Sequence, residues 1–117
     1  MDPLKRALTN VSMERMLRVI NLLRQHDREL PAQLMATFLY VCSHNPCHKQ
    51  ALEEDLMFTT ASGSRNVNWL SDKHRLKKPG LGLINCDRDP SNRRRLLLKL
   101  TPKGLSISKE IESILYD

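Results

Sequence analysis

The sequence predicts a mainly α fold (α+β) with about five helices and one two-stranded β-hairpin. Two observations carry this prediction. Apolar residues recur every three or four positions through much of the chain, which is the spacing of one helical face. Between residues 83 and 100, two short apolar runs flank a charged segment that contains Pro90, which is typical of a hairpin. We therefore expect a single domain at 1–117, with a flexible tail at 1–9.

Capping signals mark where several of these elements begin. Thr59 and Thr101 each stand where a side-chain oxygen can accept a hydrogen bond from a free backbone N–H of a helix. Pro31 and Pro102 suit the first turn of a helix, where a missing N–H costs nothing. The predicted elements, in chain order, are helices at 10–28, from 31 to a stop at 45–46, at 48–57 and at 60–75, strands at 83–86 and 94–100, and a last helix from 102. This order is that of a winged helix-turn-helix.

The fourth predicted helix has an inner face and an outer face. We expect Gly63, Val67, Leu70 and His74 to point inward, because they recur at helical spacing. Glycine lowers helix propensity by about 1 kcal/mol relative to alanine, so we expect Gly63 to pack closely against the preceding helix. Trp69, the single tryptophan, is expected to be a packing residue at the edge of this helix.

Charge and cysteine content narrow the class of protein. The formal net charge is +6, and nine of the lysines and arginines fall between residues 65 and 95, which fits a polyanionic partner. Three cysteines, an odd number, do not suggest a disulfide-stapled secreted domain. The sequence has neither a signal-peptide pattern nor an apolar run of about 18 residues, so we expect a cytoplasmic protein.

The candidate DNA-binding residues lie on the fourth helix and on the hairpin. Asparagine can pair with adenine, arginine with guanine, and hydroxyl groups with either, whereas arginines also bind phosphates. A solvated polar face and a solvated charge run are the alternatives for these two segments. The candidates are Thr59, Thr60, Ser62, Ser64, Arg65, Asn66, Asn68, Arg88, Arg93, Arg94 and Arg95.

The hairpin tip, predicted at 87–95, contains three consecutive arginines. Because side chains alternate along a strand, all three are not expected to point the same way. We assign Arg94 to a DNA groove. Arg93 and Arg95 would then flank phosphates or pair with Asp87 and Asp89.

Two stretches of the sequence resemble MarR-type transcriptional regulators, over roughly residues 30–110. They are Leu52-Glu-Glu-Asp-Leu56 followed by Thr59-x-x-Ser62-x-Ser64-Arg65, and Asp89-Pro-Ser-Asn-Arg-Arg-Arg95 followed by Leu100-Thr101-Pro102-Lys103-Gly104. The resemblance implies a dimeric regulator that binds duplex DNA, with the recognition helix in the major groove and a wing arginine in the minor groove. Arg65 and Arg94 match the family's basic positions. Asn92 replaces a residue that is usually acidic in that family.

A homodimer is the expected assembly. The first helix and the last helix would supply the interface through Leu17, Ile20, Ile111 and Leu115. Such a dimer would bind a pseudo-palindrome with half-sites roughly one DNA turn, about 34–36 Å, apart.

Other functions rest on weaker signals. Cys42, His44, Cys47 and His48 are zinc-ligand types, but they lack the usual paired spacing, so we predict no metal. We predict no cofactor and no enzymatic activity, since no phosphate-binding glycine loop or nucleophile–base–acid set is recognisable. A regulator that senses thiol oxidation or metal, and a winged helix that binds replication or polymerase proteins, remain as alternatives.

Overall fold

The computed structural model describes residues 6–72 and 79–117 of the chain. Within them it contains five helices and one three-stranded antiparallel sheet, in a mixed α+β arrangement. The elements are α1 (Val11–Arg24), α2 (Ala32–Ser43), β1 (Cys47–His48), α3 (Lys49–Leu56), α4 (Thr60–Leu70), β2 (Ile84–Asp89), β3 (Asn92–Leu100) and α5 (Pro102–Tyr116). The predicted winged helix-turn-helix is confirmed. Most of the expected tail and the expected last residues of the fourth helix, 73–75 with His74, fall outside the described residues.

Helix α1 ends four residues earlier than predicted. Its last turn tightens, because the backbone N–H groups of Gln25 and His26 donate to carbonyl groups three residues earlier, at 3.2 and 3.0 Å. The Asp27 carboxylate then accepts a hydrogen bond from the backbone N–H of Glu29 at 3.0 Å. This local bond redirects the backbone away from the helix.

The sheet contains one strand that the sequence did not predict. Its order is β1-β3-β2, so β3 is central. Cys47 and His48 of β1 pair with Leu98 and Leu97 of β3. A strand of two residues is too short to show an alternating pattern, which is why it was missed. The hairpin strands extend further than predicted, so that only residues 90–91 form the turn.

One apolar core joins the helices to the sheet. Leu34 and Leu52 are 0% exposed, and so is Leu98 of the central strand. Burial of each such side chain contributes roughly 1.5–3 kcal/mol. The remaining buried apolar residues are Val19, Leu23, Phe38, Tyr40, Val41, Val67, Leu70, Leu83, Ile84, Ile107 and Ile111.

The junction between β3 and α5 explains part of the Leu-Thr-Pro-Lys-Gly motif. The Thr101 hydroxyl accepts from the Gly104 N–H at 3.0 Å and donates to the Gly82 carbonyl at 2.7 Å. A Cβ at Gly104 would overlap the carbonyl oxygen of Leu83. Threonine therefore caps the helix, and glycine permits its close approach to the segment that precedes β2.

Much of the apolar stripe of α1 is exposed to solvent. Val19 and Leu23 are buried, whereas Met16 and Leu17 are 54% and 55% exposed and Ile20 is 39% exposed. The Arg15 guanidinium donates to backbone carbonyls near the end of α5, so the terminal helices lie side by side. No described helix is both long and apolar enough to cross a lipid bilayer.

Candidate nucleic-acid interface

Helix α4 begins at a fixed cap. The Thr59 hydroxyl accepts from the backbone N–H of Ser62 at 3.1 Å, as the sequence predicted. Immediately upstream, α3 ends at Leu56 with Met57 as its C-cap, and the backbone N–H of Phe58 donates to the Glu53 carbonyl at 2.8 Å. These bonds set the tight turn between the two helices of the helix-turn-helix.

The other end of α4 is tied to the hairpin. The backbone N–H groups of residues 80–83 donate to carbonyls of residues 69–72 over distances of 2.7–3.1 Å. Two of these bonds, from Leu81 to Trp69 and from Leu83 to Leu70, satisfy carbonyls at the helix end that have no partner within the helix. The start of the wing is thus held directly against the C-terminal end of α4.

The outward face of α4 is polar. Thr60, Ser64 and Asn68 recur every four residues, and Arg65 lies beside them. Thr60, Arg65 and Asn68 are exposed and Ser64 is half-buried. Together with the exposed cap Thr59, they present hydroxyl, amide and guanidinium groups, which are the groups that bind base edges and phosphates.

Ser62 lies at the flank of this face. Its side chain is half-buried, and the Arg65 guanidinium donates to its hydroxyl at 3.0 Å. This neutral bond on the helix surface holds the arginine near α4 without neutralising its charge. No salt bridge forms at Arg65 or Arg94 within residues 6–72 and 79–117.

Asn66 does not share the outward face, contrary to expectation. It is 6% exposed, and its amide donates to the Gln33 side chain at 3.3 Å and to the Ser62 carbonyl at 2.9 Å. Asn66 follows Gly63 by three positions and precedes Leu70 by four, so helical geometry carries it to the inner side. It links α4 to α2, and we remove it from the set of candidate contacts.

Gly63 packs against α3, as predicted. A Cβ at this position would lie 2.6 Å from Cγ of Glu53 and would overlap the Glu53 carboxylate. That carboxylate pairs with the Lys49 ammonium at 2.5 Å, and both side chains are nearly buried, at 13% and 11% exposure. The ion pair is thus pressed against the backbone of α4, and Gly63 makes room for it.

The wing arginines lie in a bulge. Arg88 of β2 is opposite Leu96 of β3, but the next residue, Asp89, is opposite Asn92. Residues 93–95 therefore have no direct partner on β2, and all three are exposed. Side chains alternate only along a regular ladder, and the bulge interrupts this one, so alternation does not assign separate roles to the three arginines.

Three polar side chains brace the wing. The Arg88 guanidinium donates to the Arg93 carbonyl at 3.1 Å across the hairpin. The Asn92 side chain accepts from the backbone N–H of Arg94 at 3.2 Å. Asp89 accepts from the backbone N–H of Ser91 at 2.8 Å and thereby closes the turn. Arg88 is exposed, but its guanidinium is hydrogen-bonded within the hairpin, so its role is partly structural.

Asp89 also joins the wing to β1. Its carboxylate lies 2.7 Å from Nε2 of His48. The hydrogen bond from His48, aided by that from Ser91, holds the pKa of the Asp89 carboxyl below its usual value. A pair with Arg93 or Arg95 was one of the two alternatives that the sequence left open for Asp89, and its partner in the structure is instead a histidine 41 positions away.

A notch of about 140 Å³ separates the wing from α3. It is lined by Arg94, Arg95 and Leu96 on one side and by Lys49, Gln50 and Glu53 on the other. Since Glu53 also contacts α4 at Gly63, α3 lies between the wing arginines and α4 and contacts both.

The candidate metal and thiol residues have other partners. The ring of His44 stacks on Tyr40 with centroids 4.2 Å apart, and His48 bonds to Asp89. In the described part of the chain, no three His, Cys, Asp or Glu side chains converge as metal ligands. Burial raises the pKa of the Cys42 thiol, and it raises that of Cys47 to about 11.

Comparison with solved structures places the fold. PcaV from Streptomyces coelicolor superposes with a TM-score of 0.59 at 19% identity, over 90% of this chain and 72% of that one. A MarR regulator from Methanosarcina mazei superposes with a TM-score of 0.64 at 14% identity, over 89% and 68% of the two chains. The fold is that of MarR-type transcriptional regulators. The sequence itself matches no protein-family model and no curated protein.

Structures bound to DNA are among those to which this chain is similar. A mutant MarR from E. coli, in complex with operator DNA, superposes with a TM-score of 0.60 at 16% identity, over 89% of this chain and 70% of that one. At this identity the likeness concerns the MarR-type fold.

Proposed function

We propose that this protein is a sequence-specific transcriptional regulator that binds double-stranded DNA. The observation that carries the proposal is the combination of a polar, exposed outer face on α4 with three exposed arginines in the bulged wing, two elements that both pack against α3. In this proposal α4 enters the major groove and Arg94 enters the adjacent minor groove. The contact set is Thr59, Thr60, Ser62, Ser64, Arg65, Asn68, Arg93, Arg94 and Arg95, with Arg88 bracing the wing.

Electrostatics supports a nucleic-acid partner over a neutral one. The net charge is +6, and Arg65 and the three bulged arginines are exposed. An exposed guanidinium that keeps its full charge can bind a phosphate and release the counterion condensed there. Since Arg65 bonds only to the neutral hydroxyl of Ser62 among the described side chains, it can exchange that bond for a base or phosphate contact.

We further propose that the protein acts as a homodimer through its terminal helices. A groove of about 360 Å³ is lined almost entirely by apolar atoms of α1, α2 and α5, including Met16, Ile20 and Leu115. Leu17 and Ile20 on α1 are exposed, as an interface requires. Ile111, which we had assigned to the interface, is 6% exposed and packs mainly in the core of its own chain, although it also lines this groove.

Binding of a randomised duplex tests the proposal. We expect the purified protein to shift a pool of random duplexes in a gel at low salt. Repeated selection of the bound duplexes should converge on a pseudo-palindromic sequence, whose two half-sites are related by two-fold symmetry. Arg65→Ala should lower affinity by about 1–3 kcal/mol and relax the preference at one base pair. A protein that binds no duplex even at low salt would contradict the proposal.

Two other functions predict different results. A winged helix that binds only replication or polymerase proteins would leave DNA unbound in the same gel. A thiol-sensing regulator would lose or gain DNA affinity after peroxide treatment. The structure does not favour the sensor, because half-buried thiols with raised pKa values remain protonated and react slowly. Cys47 and Cys86 also lie on opposite sides of Leu98, roughly 10 Å apart, too far for a disulfide.

A further inference from the structure

Met57 occupies an unusual position at the tip of the helix-turn-helix. It follows the last residue of α3 with φ 58° and ψ 40°, in the left-handed region. It is the one non-glycine residue with positive φ in the described part of the chain. The surrounding bonds, from Met57 N–H to the Glu54 carbonyl at 3.3 Å and from Phe58 N–H to the Glu53 carbonyl at 2.8 Å, are those of a turn that usually contains glycine.

The fold does not bury the side chain of Met57. It is 90% exposed, the highest exposure among the large apolar residues of the described chain. Its neighbour Phe58 is half-buried and packs against the core, so Phe58 provides the apolar contact that stabilises such turns. Met57 thus combines a strained backbone with an apolar side chain in water. Neither the turn nor the core requires methionine there.

Met57, with its left-handed backbone and exposed apolar side chain, lies next to the proposed DNA-binding surface. It lies two residues before Thr59, the cap of α4, and so flanks the end of the recognition helix that enters the groove in helix-turn-helix complexes. The major groove offers one apolar group, the 5-methyl of thymine. An exposed thioether at the entrance of α4 is chemically matched to it.

We infer that Met57 is a specificity-determining residue whose side chain contacts the 5-methyl group of a thymine in the major groove. This inference rests on the proposed DNA-binding function. It adds a contact from the turn to the polar contacts of α4. It also explains why the turn keeps a side chain at a position where glycine would relieve strain.

Opposite changes in stability and affinity test the inference. Met57→Gly should raise the melting temperature by a few degrees, because the left-handed conformation is no longer costly. The same variant should bind a duplex selected by the wild-type protein about three- to tenfold more weakly, since an apolar contact is lost. The conservative variant Met57→Leu keeps an apolar side chain and should restore most of the affinity without raising the melting temperature.

Replacement of thymine by uracil tests the contact itself. Each thymine of the selected duplex is replaced in turn, which removes only the methyl group. We expect one replacement per half-site to weaken wild-type binding and to leave Met57→Gly binding unchanged. If Met57→Gly binds as tightly as the wild type, or if both proteins respond equally to every replacement, the inference is overturned.

Two outcomes separate the Met57 contact from the proposed DNA-binding function. If the wild-type protein binds no duplex, the proposed function fails and this inference fails with it. If binding occurs and depends on Arg65, while Met57→Gly has no effect on affinity, only the Met57 contact is wrong.

Discussion

Gly63→Ala should reveal how tightly α4 is fitted against α3. Alanine favours the helix by about 1 kcal/mol over glycine, so Gly→Ala at an unobstructed helix position would stabilise the protein. Here the added Cβ would lie 2.6 and 2.7 Å from Cγ and Cδ of Glu53, and Glu53 has to move. Its carboxylate would leave Lys49, a side chain that is only 11% exposed in the pair.

The size of the effect follows from these opposing terms. Removing one partner of a buried pair costs about 3–5 kcal/mol, and overpacking costs about 1–3 kcal/mol. Glu53 is flexible and can rotate toward solvent, so we take the lower range as the cost. After the gain of about 1 kcal/mol in helix propensity, Gly63→Ala should lower the free energy of unfolding by up to about 2 kcal/mol. For a chain of this size the melting temperature should fall by up to about 10 °C.

A double-mutant cycle with Glu53→Ala isolates the cause. Once the obstructing side chain is removed, Gly63→Ala should stabilise the protein by about 1 kcal/mol, so the sign of its effect should reverse. Urea unfolding, followed by circular dichroism, measures all four proteins. The reasoning is refuted if Gly63→Ala stabilises the wild-type background, or if its effect is the same in both backgrounds.

The remaining predictions concern the cap, the dimer and the wing. Thr101→Ala should lower the free energy of unfolding by about 1 kcal/mol in a urea titration, because α5 loses its cap, and an unchanged midpoint would contradict the role of the Thr101 hydroxyl. Leu17→Glu should convert a dimer to a monomer in sedimentation analysis, whereas a wild-type monomer would end the dimer proposal. The lowered pKa of Asp89 means that its stabilising effect is present above the usual carboxyl pKa of 3.8 and is lost as the pH falls through the lowered value. The difference in unfolding free energy between wild type and Asp89→Asn should therefore disappear in acid, and a difference that persists there would count against the His48 bond.

Local signals in the sequence were sufficient for the main elements. Helical periodicity placed five helices, and the caps at Thr59 and Thr101 were located to the residue. The close approach at Gly63 could also be predicted, since glycine in the middle of a helix needs a reason. These features depend on residues within a few positions of one another, which is the range over which sequence patterns carry information.

Features that depend on distant partners were missed or misplaced. The bond between His48 and Asp89 joins residues 41 positions apart, and β1 exists only because β3 lies beside it. The bulge at residues 93–95 depends on how the two strands pair, which alternation alone does not specify. The burial of Asn66 was predictable in principle, because its spacing from Gly63 and Leu70 places it on the inner side. Its polar character led us to place it outside.

In the proposed complex, α4 and the wing contact one duplex in different ways. Fluorescence anisotropy titrations of wild type, Arg65→Ala and Arg94→Ala, with selected and random duplexes over a range of salt concentrations, test it most directly. We expect Arg65→Ala to reduce the ratio of specific to random affinity. Arg94→Ala should weaken binding to both duplexes and reduce the salt slope by about one. Small and equal losses for the two variants, with unchanged salt slopes, would contradict the account.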